Sequence, residues 1–144
     1  MIFVKKFLVA LVMTFSITAM MTYSSSANAA EKLAPQSVIA ERIDEAFLHI
    51  KTAIGQDESS KVLKGLAKVA RQESKELSVG AAEFELDTVK DLIGKGGRHF
   101  SYAAKAAKGT GSYKGKTEAE HRALGSQHID EAIASFENVK AAIE

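Results

Sequence analysis

Four histidines stand at positions 49, 99, 121 and 128, and three of them have a glutamate one helical turn away. The pairs are Glu45 with His49, Glu118 with His121, and His128 with Glu131. Residues three or four apart share one side of a helix. Imidazole nitrogen beside carboxylate oxygen is a donor set for Cu(II), Ni(II) or Zn(II). The candidate ligands are therefore His49, His121 and His128, with Glu45, Glu118 and Glu131 as helpers. His99 is the fourth; beside Arg98 and a glycine run, it can also simply cap or pack. His121 and His128 lie two turns apart, about 10 Å along a helix axis, too far to chelate one ion by themselves. Glu118-x-x-His121 is half of a di-iron carboxylate pattern, but His128-x-x-Glu131 runs in the opposite order and no second copy exists.

Other chemistries are excluded by what the chain lacks. There is no cysteine, which removes disulfides, thiolate metal sites, c-type haem attachment and thiol nucleophiles. All four methionines fall within the first 21 residues, so Met/His haem ligation and thioether copper(I) sites are not expected of the domain. No G-x-S-x-G elbow is present. Gly94-Lys95-Gly96-Gly97 lacks the spacing of a phosphate loop, so no nucleotide is expected. Tyr102 and Tyr113 flank basic residues but make no nucleic-acid platform. An enzyme is not expected.

The first 29 residues read as an export signal. Lys5 and Lys6 precede an apolar run from Phe7 to about Thr22, and Ala27-Asn28-Ala29 has the small-x-small pattern that signal peptidase accepts, placing cleavage after Ala29. The apolar run is diluted by Thr14, Ser16 and Thr18 and is short for a ~20-residue span. The expectation is a periplasmic or secreted domain over residues 30–144 with no lasting membrane insertion. Setting aside Lys5 and Lys6 leaves 17 basic against 18 acidic residues, a net charge of −1. A balance of that kind exerts no bulk pull toward nucleic acid.

The elements that must position these side chains are helical. Alanine, lysine, glutamate and leucine dominate, and proline occurs once, at Pro35. Apolar residues at three- and four-residue spacing predict a helix over 36–54, started by Pro35 and closed by a left-handed Gly55. Asp57 is expected to cap a second helix carrying Val62, Leu63, Leu66, Val69, Ala70 and Leu77. Gly80 separates it from a third, which turns Phe84, Val89, Leu92 and Ile93 inward. Gly94–Gly97 interrupts that helix, which resumes over 98–108 with Phe100, Ala103, Ala104 and Ala107 on one side. Residues 109–116 form a flexible loop. Thr117 and Glu120 make a capping box for a last helix from 118 to about 142, with Leu124, Ile129, Ile133, Phe136 and either Val139 or Lys140-Ala141 near its core side. Four amphipathic segments joined by short turns predict an all-α, up-down antiparallel four-helix bundle, its third helix kinked at Gly94–Gly97. Ile43-Asp44-Glu45-Ala46 returns as Ile129-Asp130-Glu131-Ala132, an echo consistent with a duplicated helical hairpin.

The mature chain resembles the small metal-binding protein family of periplasmic, histidine-bearing four-helix bundles. The resemblance is carried by Ile43-Asp44-Glu45-Ala46-Phe47-Leu48-His49 and by Gln127-His128-Ile129-Asp130-Glu131-Ala132-Ile133. Val62-Leu63-Lys64-Gly65-Leu66-Ala67-Lys68 has the family's rhythm without its histidine. The likeness implies binding of divalent copper, nickel or zinc, with His49 and His128 foremost among the ligands, then His121 and His99. The family is histidine-rich along every helix; here the second helix has no histidine, which implies a low metal capacity. The competing expectation is a metal-free structural, adaptor or stress-related bundle whose helix faces dock an envelope protein.

Overall fold

The computed structural model describes residues 35–143. The expected leader and its cleavage site lie outside those residues. Four helices make the domain: α1 (Gln36–Gly55), α2 (Ser60–Ser74), α3 (Glu83–Lys108) and α4 (Glu118–Ala141). A 3₁₀ turn, Gly80–Ala82, precedes α3, and a two-residue-per-strand hairpin, β1 (Ser112–Tyr113) with β2 (Lys116–Thr117), joins α3 to α4. Each helix packs on the next and α4 returns to α1. Residue pairs across the interfaces give the directions. Asp44 meets Lys140 while Lys51 meets Asp130. Gly97 faces Ala67 while Gly94 faces Arg71, and Gly96 faces Ile129 while Phe100 faces Gly125. All run antiparallel, so the bundle is up-down, as the turn lengths predict. No helix of the described residues is long and apolar enough to cross a membrane.

The core follows the helical period. Ile39, Ile43, Phe47 and Ile50 of α1, Leu63, Leu66 and Ala70 of α2, Leu86, Val89, Ile93 and Phe100 of α3, and Ile129, Phe136 and Val139 of α4 are buried together. Phe47 and Phe136 meet edge to face at 5.8 Å. The two echoed aspartates, Asp44 and Asp130, each reach a lysine across the α1–α4 seam.

Several local expectations are corrected. Helix α1 does not stop at a left-handed Gly55. Asp57 N–H bonds to the Ile54 carbonyl and Glu58 N–H to Ala53, a Schellman closure in which Asp57 takes the left-handed position (φ 55°). Asp57 is therefore not the cap of α2; Ser59 is, its hydroxyl accepting from Val62 N–H. Gly80 does separate α2 from α3, with φ 51°, a conformation that a Cβ would oppose. Phe84 is 80% exposed rather than inward, because the buried row of α3 is Leu86, Val89, Ile93, Gly96, Phe100, Ala103 and Ala106, and Phe84 lies off it. Ala107 falls off the same row and is exposed.

The glycine run does not interrupt α3, which is helical throughout. Its glycines serve approach. A Cβ on Gly96 would stand 3.0 Å from Ile129 Cδ1 and 3.1 Å from the Gly125 carbonyl; one on Gly97 would stand 3.3 Å from Ala67 Cβ. The 109–116 loop holds a hairpin, with Lys114 (φ 51°) and Gly115 (φ 79°) as the two central residues that a type I′ turn requires. The expected capping box is present: Thr117 Oγ1 accepts from Glu120 N–H, and the Glu120 carboxylate accepts from Thr117 N–H at 2.8 Å. That backbone bond holds the Glu120 carboxyl below its ordinary range.

Candidate functional site

Helices α3 and α4 come closest where glycine faces glycine. A Cβ on Gly125 would lie 2.5 Å from the Phe100 ring, and Gly96 stands directly over the Gly125 carbonyl. This crossing decides where the histidines go. His99 lies one turn beyond Gly96 on α3, while His121 and His128 flank Gly125 on α4. His99 is thereby brought between the two that α4 alone holds apart. Its ring centroid is 5.4 Å from that of His121 and 5.6 Å from that of His128, the latter pair stacked at 18°.

The hydrogen bonds fix the tautomers. The Tyr113 carbonyl can only accept, so His121 donates to it through Nε2–H at 2.7 Å. His121 Nδ1 then carries a lone pair and accepts from His99 Nδ1–H at 3.1 Å. His128 donates through Nδ1–H to Glu131 Oε1 at 3.0 Å. In the form of this network with one proton on each ring, His99 and His128 each keep a lone pair on Nε2. His121 is 2% exposed, a buried imidazole with both nitrogens satisfied. Burial pushes the His99 pKa below the ordinary histidine value. The nearby His121 and His128, and then Lys116 and Arg98, push it the same way.

Two tyrosines close the cluster. Tyr102 stands edge-on to His99 at 5.8 Å and to His121 at 5.4 Å, and it contacts Tyr113 at 5.3 Å. Lys114 lies 5.4 Å from the Tyr102 ring centroid and Lys105 5.1 Å from that of Tyr113, where a cation meets the electron-rich ring face. The hairpin thus roofs the imidazoles and supplies the carbonyl that orients His121. Sequence patterning misses both tyrosines here; the signal available was Tyr-Lys-Gly-Lys as a hairpin turn one helix end away from His121.

No family model, curated protein or solved structure matches the chain.

The sequence candidates divide clearly. His99, His121, His128 and Glu131 come together. Glu118 does not join His121; its carboxylate accepts from Ser60 Oγ at 2.8 Å, and Ser60 also accepts from Arg122, tying the start of α4 to that of α2. Glu45 is exposed and His49 half-buried on α1. Among the described residues no group of three or more His, Cys, Asp or Glu stands in an arrangement that could hold a metal ion. What the cluster offers is a pair of imidazole lone pairs, each backed by a hydrogen-bond acceptor on the opposite ring nitrogen. Acceptors so placed fix the tautomer and ring orientation of metal-binding histidines and raise their basicity.

Proposed function

We propose that this domain is an exported metal-buffering bundle that takes up a divalent copper, nickel or zinc ion on the Nε2 atoms of His99 and His128. The observation that supports it is the convergence of three of the four histidines at one helix crossing, with hydrogen bonds that leave those two lone pairs unused. Two imidazoles bound to one ion at about 2.0–2.1 Å in a tetrahedral shell have centroids roughly 5 Å apart. The 5.6 Å separation of His99 and His128 is of that order, but the rings are stacked at 18°, so one of them has to swing about its side-chain torsions before both in-plane lone pairs meet one ion. His121 and Glu131 act behind them, each accepting an Nδ1–H. Two protein ligands leave the remaining positions to water or to a ligand brought by a partner, so binding is modest and exchangeable, as suits a buffer or carrier. Export rests on the leader-like residues 1–29 and is part of the same proposal.

Titration of the chain from Ala30 onward with Cu(II), Ni(II) and Zn(II) tests it. Saturable binding should be lost in a His99→Ala/His128→Ala double variant and kept in His49→Ala. Binding no tighter than that of a scrambled peptide of equal composition would sink the proposal, and loss confined to His49→Ala would move the site to α1. A metal-free interaction protein is the second reading, favoured by Phe84 and Leu48, large apolar side chains 80% and 63% exposed.

A further inference from the structure

On the side of α3 away from the histidines, α2 and α3 frame an open groove of about 520 Å³. That volume lies within the range of small-molecule sites. Its floor is Gly65 and Ala67 of α2 with Ile93, Gly94 and Gly97 of α3. Four cations, Lys61, Lys64, Lys68 and Arg71, line its α2 side at spacings of three, four and three, and Arg98 stands on the α3 side. No carboxylate lines it; Ser101 is the one uncharged polar side chain. None of the five cations takes part in an ion pair among the described residues, although the chain as a whole carries a net charge of only +1.

Gly65 supplies an independent observation. In the middle of a helix, glycine is destabilising relative to alanine. At Gly96, Gly97 and Gly125 a neighbouring atom explains the choice, but a Cβ on Gly65 would meet nothing within 4 Å. Packing does not require glycine there. What its absence of a side chain does is keep the groove open.

We propose that this groove binds a single-chain anionic amphiphile, an acyl carboxylate of the fatty-acid class. Apart from the Arg71 guanidinium, which lies over Gly94 at one end, the floor offers no side-chain hydrogen-bonding group, so its remainder suits a hydrocarbon body, and the lysine stems extend that apolar wall. The cations meet the head group at the rim. The row from Lys61 to Arg71 spans about 15 Å, room for an extended acyl chain. A protein partner would need roughly 800 Å² on this side alone, more than a groove of that length presents.

Calorimetric titration of the isolated protein with sodium dodecanoate, kept monomeric, tests the assignment. One saturable site is expected, each two-carbon shortening of the chain weakening it by about tenfold. Gly65→Leu fills the groove with a better helix former and should fold at least as stably while binding at least about tenfold more weakly. Lys64→Gln/Arg98→Gln should weaken dodecanoate and leave dodecyltrimethylammonium unbound. The proposal is overturned if acetate binds as tightly as dodecanoate, if the cationic analogue matches it, or if Gly65→Leu binds unchanged. Displacement of dodecanoate by poly-glutamate at lower concentration would overturn it in favour of an acidic protein partner.

Discussion

Alanine at position 125 is the sharpest probe of the helix crossing. In an unconstrained helix, Gly→Ala stabilises by about 1 kcal/mol. At Gly125 the new methyl would stand 2.5, 2.7 and 3.0 Å from three atoms of the Phe100 ring. Phe100 is 0% exposed, so the ring has no solvent space to swing into. Overpacking a core of this kind costs about 1–3 kcal/mol, and contacts this short belong at the upper end. The net expectation is destabilisation by about 2 kcal/mol, a fall in Tm of roughly 10 °C for a domain of this size. Gly65→Ala is the matched control, since its methyl enters open space; it should gain about 1 kcal/mol. Thermal and urea unfolding followed by far-UV circular dichroism, with m-values compared, measures both. A Gly125→Ala protein as stable as the parent would refute the close approach of α3 and α4, and with it the placement of His99 between His121 and His128.

Three further outcomes are expected. Glu73 is buried, and its carboxylate oxygens lack hydrogen bonds; Arg42 stands 3.4 Å away. Burial foremost raises its pKa, Arg42 opposes this and Glu76 adds to it. A raised carboxyl pKa gives stability that is full at low pH and lost as pH rises through the folded value. Glu73→Gln should therefore be at least as stable as the parent at neutral pH, an advantage that shrinks toward the ordinary value of 4.5; a urea midpoint lower than the parent's at neutral pH would contradict this. The depressed His99 pKa has the opposite course. Its contribution is complete above the ordinary value of 6.5 and lost as pH falls through the folded value, so His99→Gln should blunt the acid drop in Tm over that window. Thr117→Ala removes the hydroxyl that accepts from Glu120 N–H and should cost about 1 kcal/mol in chemical denaturation, with no loss expected from Ser112→Ala at the exposed start of the hairpin.

The helices were legible because their burial is periodic. Ile39, Ile43, Phe47 and Ile50, or Leu86, Val89 and Ile93, announce a face without help from tertiary structure. The α4 row was harder to read. Its buried positions run His121, Gly125, Ile129, Ala132, Phe136 and Val139, so the first third of the stripe is a polar ring and a bare backbone. Sequence patterning instead turned Leu124 inward. The site suffered from the same cause. Spacing on one helix correctly separates His121 from His128, and it correctly pairs His128 with Glu131. Nothing in spacing tells that His99 fills the gap, because that depends on two glycines meeting across helices. Glu118 illustrates the converse: the right distance from His121 along the chain, but drawn instead to Ser60 on α2.

Between Ile93 and Phe100, α3 presents Gly94, Gly96 and Gly97, so the middle of this rod is nearly smooth toward both α2 and α4. A smooth stretch receives side chains such as Ile129 and Ala67 but sends none out to lock against them. The lengthwise seating of this stretch therefore falls to the bulky pegs on either side of it, Ile93 and Phe100, both 1% exposed or less, with Leu86 and Val89 nearer the helix start. A lengthwise displacement of this helix would shift the imidazole stack on one flank and the cationic trough on the other together.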